Sequence, residues 1–391
     1  MRILQVIPYF VPAWDYGGPL RACFELSAEL VKRGHQITVY TTDTLDVRGR
    51  IDQSQEVFEG IHIKRFRNIS NTLAYKHNLY LPLGMILPMK DLGSFDLIHL
   101  HEYRTMLNTL VHYKATKAGT PYLIQAHGDI PPIMVKHKLK RLYDIFWGKR
   151  ILCGASKTIA LTQREAMQYK DVGIHDNKIE IIPNGIPYSE LEDMPTPGKF
   201  RKTYGIGENE KVVLFLARIH RIKQPDLLAR SFATLMNELQ NITLVIAGPD
   251  EGFLRPLRQI VSQLGIFEKV LFTGPLYGQA KKQAFVDANV YVLPSLYETF
   301  PISVLEASAC GTPVIVTNQC GIADIIRDQI GLVVPPEQES LATAISQLLT
   351  NDELAAKLGE NGKYIVGQHY TWPKIASQLE SLYFNCLTTD N

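Results

Sequence analysis

The sequence predicts two doubly wound α/β domains in tandem, and three observations carry that reading. Short runs rich in Val, Ile and Leu recur from end to end, as in parallel strands buried on both faces. Amphipathic segments of helical period lie between them. The runs fall into two sets, parted by residues 186–200 (IPYSELEDMPTPGKF), which hold three prolines and a glycine and show no periodicity. At 391 residues the chain has room for two or three domains with real cores, without a disulfide or metal staple.

The first set of expected strands is RILQVI (2–7), QITVYTT (36–42), IHIKRF (61–66), FDLIHLH (95–101), PYLIQAH (121–127), TIALT (158–162) and IEIIP (179–183). Between the first two, residues 21–32 set Phe24, Leu26, Leu30 and Val31 near a 3.6-residue period, which predicts a helix. The second set is VVLFLA (212–217), TLVIAG (243–248), VLFTG (270–274), VYVLP (290–294), PVIVT (313–317) and GLVVP (331–335), with helical segments at 224–238 and 280–288. After Asn351 the sequence reads as helix, broken at Thr371-Trp372-Pro373, where a proline near a first turn marks a new start.

Composition removes several classes. Hydrophobic residues make up 46% and charged residues 20%, ordinary for a globular enzyme and foreign to fibrous or disordered chains. The five cysteines, at 23, 153, 310, 320 and 386, include no C-x-x-C pair, and no histidine cluster completes a zinc pattern. A reducing compartment is expected. The start, MRILQVIPYFVPAW, is too short and broken for a signal peptide, and prolines interrupt the apolar stretch 79–89, so a cytoplasmic protein without a membrane span is expected. The net charge of +2 hides an asymmetry: 1–190 carries a basic excess of six and 191–391 an acidic excess of four. The segment 136–150 (KHKLKRLYDIFWGKR) interleaves cations with Leu142, Phe146 and Trp147, the pattern of a helix lying on an anionic membrane or of a solvated basic face. The asymmetry is too modest for a nucleic-acid partner.

Open parallel sheets bind ligands beyond the carboxyl ends of their strands. At those ends the unusual residues collect. Gly17-Gly18 follows the first strand and opens a helix, where backbone amides can approach an anion. The pattern is not G-x-G-x-x-G, so a dehydrogenase-type dinucleotide site is poorly supported. His127 ends a strand beside Gly128. His99 and His101 alternate along FDLIHLHEY and share one sheet face; without further ligands nearby they read as structural rather than as metal ligands. Arg218 and Lys223, five apart on a loop entering a helix, suit a diphosphate or are two solvated cations. Glu298 and Glu306 are separated by seven residues, with Pro301 expected in the first helical turn and the amides of 300–303 free for a phosphate.

Taken together these residues resemble the retaining glycosyltransferases of family 4, whose GT-B architecture sets two Rossmann-like domains across a cleft. The strongest block is LPSLYETFPISVLEASACGTPVIVTN (293–318), supported by ARIHRIK (217–223), AGPDEG (247–252) and IIPNGI (181–186). The final TWPKIASQLESLY resembles the last helix of that architecture, which crosses back to the N-terminal domain. The resemblance implies an acceptor-binding domain of 1–190 plus 372–391 and a nucleotide-sugar-binding domain of 191–371. It implies that Arg218 and Lys223 grip the donor diphosphate, that Glu306 binds the ribose, and that Glu298 meets the donor sugar, aided by main-chain groups of Thr299, Phe300, Pro301 and Ile302. His127 would stand at the reacting centre, with Gly17, Gly18, Gly248, Leu276 and Leu305 completing the donor site. The family's Glu-Gly-Phe reads Glu298-Thr299-Phe300 here, and the lysine it usually follows with glycine is followed by Gln224.

The implied activity is metal-independent hexosyl transfer with retention, from a nucleotide diphospho-sugar to a glycan or lipid-linked acceptor, in polysaccharide assembly on the inner face of the plasma membrane. UDP-glucose is the favoured donor and GDP-mannose the alternative. No cofactor is expected: the nucleotide sugar is a substrate, and no D-x-D motif provides for a metal. A glycoside hydrolase or phosphorylase, and a non-catalytic nucleotide-sugar binder, are the readings of another class.

Overall fold

The computed structural model describes the chain except residues 48, 83, 86–91, 132–136 and 389–391, and for 137–139 the backbone alone. It divides into two compact units, Met1–Gly185 with Trp372–Asn391, and Ile186–Thr371.

In the first unit, strands β1 (Arg2–Val6), β2 (Gln36–Thr42), β3 (Gln55–Phe58), β4 (Ile61–Phe66), β5 (Leu97–His101), β6 (Tyr122–Gln125), β7 (Lys157–Ala160) and β8 (Ile179–Ile181) form one sheet. Their order is β3-β4-β2-β1-β5-β6-β7-β8, parallel except at the β3–β4 hairpin. β5 is buried along its whole length, His99 and His101 included. The helix Gly18–Lys32 packs its apolar stripe on the sheet and carries Leu20, Phe24, Leu26 and Leu30 into the core. The last helix, Trp372–Thr388, joins this unit: Ile375, Leu379 and Tyr383 enter the same core, and Glu380 accepts hydrogen bonds from Arg33 (Nη2, 2.5 Å) and lies 2.7 Å from His35 Nε2.

In the second unit, β9 (Lys211–Leu216), β10 (Ile242–Ala247), β11 (Val270–Gly274), β12 (Val290–Leu293), β13 (Val314–Thr317) and β14 (Gly331–Val334) form an all-parallel sheet ordered β11-β10-β9-β12-β13-β14. That is the 3-2-1-4-5-6 order of nucleotide-binding sheets.

The sequence-based strands appear within one or two residues of their expected ends, with one addition. The edge strand β3 was not expected. Its residues are mostly exposed (Val57 62%, Phe58 42%), so no buried run announces it. The two-residue turn Glu59-Gly60, both at positive φ, is its one local signal.

Candidate active site

In each unit the strand order reverses about its first strand, and the loops after that strand and its later neighbour flank the switch point. In the second unit these loops follow β9 and β12. The first runs through a tight turn, Arg221–Lys223, into the helix Pro225–Leu235. Gln224 between them has φ 50°, a left-handed conformation natural to glycine; the departure from the family's Lys-Gly is therefore accommodated by a strained glutamine. The Leu296 amide donates to the Ile222 carbonyl (2.8 Å), which holds the two loops together. Lys223 Nζ then donates to Glu298 Oε1, with both side chains largely buried.

Arg218 stands apart from that pair. Its side chain is 56% exposed and its Nη1 donates to both oxygens of Glu251 (2.7 and 2.8 Å). Gly248 explains how its loop lies where it does: a Cβ there would stand 1.9 Å from the Ala217 carbonyl oxygen, so only glycine lets the loops after β9 and β10 touch. Asp250 caps the following helix by accepting from the amides of Gly252, Phe253 and Leu254, which hold its carboxyl below the usual range.

Pro301 is not in the first helical turn. It is the residue before it, with ψ 109°, and the helix runs Ile302–Ala309. A proline at this cap lacks an N–H, so Ile302 and Ser303 supply the first free helix amides and Phe300 the amide before them. Ser303 Oγ meets Tyr291 Oη (2.8 Å). Glu306 does lie in the second turn, 7% exposed, and accepts from Lys281 Nζ (2.5 Å) on the helix Gly278–Asp287. Lys281 was missed in the sequence because nothing local marks a lysine 25 residues from its partner. Leu276 is nearly buried and Leu305 wholly so; anything Leu305 offers a ligand comes from its backbone. Thr299 Oγ1 donates to Tyr297 Oη (3.4 Å), and Gly321 closes the loop, its amide donating to the Glu298 carbonyl (2.7 Å).

In the first unit, Gly17-Gly18 does not follow β1 directly. Residues 7–16 intervene and end in a tight turn, Trp14–Tyr16, and Gly17 then caps the helix with φ 86°. Among the described residues, no atom beyond the adjoining chain lies within 4 Å of where a Cβ on either glycine would stand, so the backbone there is open to approach. His127 has φ 52° and its ring stacks on His101, with Nε2 3.0 Å from His101 Nδ1. Burial lowers its pKa to about 3. Beside it the Gly128 amide donates to Glu165 (2.6 Å), a buried carboxylate raised to about 7 by desolvation. Glu102, at the end of β5, accepts from Tyr9 Oη and is likewise raised to about 7, chiefly by burial.

Among the described residues no three His, Cys, Asp or Glu side chains are placed to hold a metal ion. Nor is any described helix long and apolar enough to cross a membrane. Of the basic segment, Lys136 and the side chain of Lys138 lie outside the described residues. Lys140 pairs with Asp129 (3.0 Å). Leu142, Ile145, Phe146 and Trp147 are 47–73% exposed, on a helical stretch with exposed Arg141, Lys149 and Arg150.

Two family models match the chain, "Glycosyltransferase Family 4" over residues 16–190 and "Glycosyl transferases group 1" over 198–364. It is 27% identical to an uncharacterized glycosyltransferase of Methanocaldococcus jannaschii, over 95% of this chain and 96% of that one. It is 29% identical to the D-inositol 3-phosphate glycosyltransferase of Rhodococcus opacus, over 94% and 86%. Among solved structures, Anabaena HepE in complex with UDP-glucose superposes with a TM-score of 0.74 at 19% identity, over 98% of this chain and all of that one.

Proposed function

We propose, since this chain belongs to glycosyltransferase family 4 and has the GT-B fold, that it moves a hexose from a nucleotide diphospho-sugar to a hydroxyl of a glycan or lipid-linked acceptor, with retention and without a metal. The carrying observation is the switch point of the second unit, where Lys223, Glu298, the first amides of the helix Ile302–Ala309 and Glu306 collect around the ends of β9 and β12. An anionic diphosphate suits this arrangement. Lys223 exchanges its carboxylate partner for phosphate, and the helix start adds amide donors. As the glycosidic bond breaks, charge grows on the leaving diphosphate. Preplaced donors there are worth about 3–4 kcal/mol each. Glu298 and Glu306 remain to accept hydrogen bonds from sugar and ribose hydroxyls, and Arg218 reaches the diphosphate by releasing Glu251. The leaving phosphate takes the acceptor proton in a same-side displacement.

UDP-glucose is the favoured donor, consistent with the ligand of the Anabaena neighbour, and GDP-mannose the alternative. The test is a thermal-stability panel of nucleotide sugars followed by turnover with and without EDTA. One nucleotide sugar should stabilise by about 2.7 kcal/mol at 100 times its dissociation constant, and transfer should survive chelation. Glycan hydrolysis without any nucleotide sugar, donor binding without turnover on any acceptor, or metal-rescued loss in EDTA each overturns a part of this reading. The exposed apolar quartet at Leu142–Trp147, edged by Arg141, Lys149 and Arg150, fits docking on an anionic cytoplasmic leaflet near a lipid-linked acceptor. Flotation with liposomes should require anionic lipid; equal behaviour with and without it removes the membrane from the proposal.

A further inference from the structure

The site described so far leaves a buried polar row unexplained. On one face of the first sheet, Gln5, His99 and His101 are each no more than 1% exposed. Parallel register places Gln5 beside His99 on β1 and β5, and His101 beside Gln125 on β5 and β6, with His127 two residues further on. His99 Nδ1 lies 2.8 Å from Tyr383 Oη of the last helix. Its ring stacks on His101, centroids 4.2 Å apart. His101 Nε2 lies 2.7 Å from Gln5 Oε1, and His101 Nδ1 lies 3.0 Å from His127 Nε2. Interiors of parallel sheets are ordinarily apolar, and burying unsatisfied polar groups there is destabilising. By strict geometry Gln5 Nε2 and His99 Nε2 have no hydrogen-bond partner among the described residues, although Gln5 lies close enough to Tyr383 to act on its phenol. Packing therefore gives no reason for the row.

Hydrogen-bond logic supplies one. A neutral imidazole has one donor and one acceptor nitrogen. With the Gln5 amide turned so that Oε1 faces His101, the oxygen can only accept, and His101 then carries its proton on Nε2. Its Nδ1 is then an acceptor, and the facing His127 must donate from Nε2. His127 is left with a bare Nδ1, for which no partner is present among the described residues. We propose that His101 is a positioning residue: locked by Gln5, it fixes His127 in the Nε2–H tautomer and so keeps its Nδ1 as a hydrogen-bond acceptor. This rests on the proposed glycosyl transfer for its use, but not for its geometry.

The first measurement needs no variant and no substrate. Long-range ¹H–¹⁵N correlation on histidine-labelled full-length protein reads the tautomer of each ring. His101 and His127 should both be Nε2–H; an Nδ1–H signal for His127 overturns the proposal whatever the enzyme transfers. The second measurement is kinetic. His101→Phe keeps a stacking ring and removes both nitrogens. It should leave donor affinity within about twofold and lower kcat by about 10–100-fold, the range seen when the hydrogen-bond partner of a metal-bound imidazole is lost. It should also release His127 into a mixture of tautomers. His101→Asn, which restores an acceptor near the Nδ1 position, should recover part of kcat. Unchanged turnover in His101→Phe overturns the proposal. A wild type that transfers nothing from any nucleotide sugar overturns the functional reading instead, and leaves the tautomer measurement to decide this one.

Discussion

The two units share the reversal of strand order about their first strand but gather different polar groups at their strand ends. In the first, the distinctive side chains are buried, the histidines as neutral rings and two carboxyls titrating near neutrality. Burial lowers His99 and His127 to about 3 and His101 well below its ordinary value, and raises Glu102 and Glu165 to about 7. In the second, the distinctive side chains are ions held as pairs: Arg218 with Glu251, Lys223 with Glu298, Lys281 with Glu306. One fold thus holds two kinds of poised chemistry. Neutral hydrogen-bonding groups keep their direction only if fixed by neighbours. Charges kept in pairs are ready to exchange a carboxylate for an incoming phosphate.

Breaking the most buried ion pair should have the largest effect. Lys281→Met leaves Glu306 charged without a partner in a nearly closed site, at a cost of about 3–5 kcal/mol. Hydrogen exchange should show protection lost across residues 278–309; unchanged protection means that Glu306 does not depend on Lys281. Next, Lys223→Ala should reduce transfer about 10²–10³-fold, the loss of one preplaced donor at a developing charge, and calorimetry should show the donor bound more weakly. Wild-type kinetics would detach Lys223 from the diphosphate.

The pH response sharpens the contrast. Histidines with depressed folded pKa values stay neutral in the folded state while the unfolded chain takes up protons, so their stabilisation is full above about 6.5 and is lost as pH falls toward 3. Glu102 and Glu165 act oppositely: raised above their ordinary 4.5, they bind protons in the folded state, and their stabilisation is lost as pH rises from there to about 7. The two trends oppose between those limits, and below 4.5 the histidines act together with Glu380, whose carboxyl is lowered chiefly by its hydrogen bond from Arg33. All three tryptophans, Trp14, Trp147 and Trp372, lie in the first unit, so their emission follows that unit by itself. Its stability should fall steeply below pH 4.5, and less steeply in His99→Gln; equal slopes remove the histidines as the cause. The smallest effect is expected at the exposed pair. Glu251→Gln frees Arg218 from a surface ion pair worth about 0–1 kcal/mol, and should tighten donor binding by no more than about fivefold.

Much of this was legible in advance, for reasons visible in particular residues. VVLF of the first run and all of TLVIAG are buried, and burial on both faces writes itself into the sequence as an unbroken apolar run. The loops after them stood out because glycine and charge interrupt those runs. Gln55–Phe58 was not legible, since an exposed edge strand has no buried face to encode. The placement of Pro301 was off by one position because spacing gives a helix start without its cap geometry. The partners were least legible. Lys281, Glu251 and Gln5 look like any lysine, glutamate and glutamine, and their pairings span 25, 33 and 96 residues.

The sequence by itself determined the two parallel sheets, the strand ends at which chemistry collects, and which residue types stand there. It could do so because periodicity and turn residues act over a few neighbours. Only the tertiary structure decided which carboxylate each cation holds, that His127 leans on His101 rather than facing solvent alone, and that Tyr383 of the last helix closes on His99. Those outcomes depend on distances between segments far apart in the chain, and burial then sets the charge each group carries.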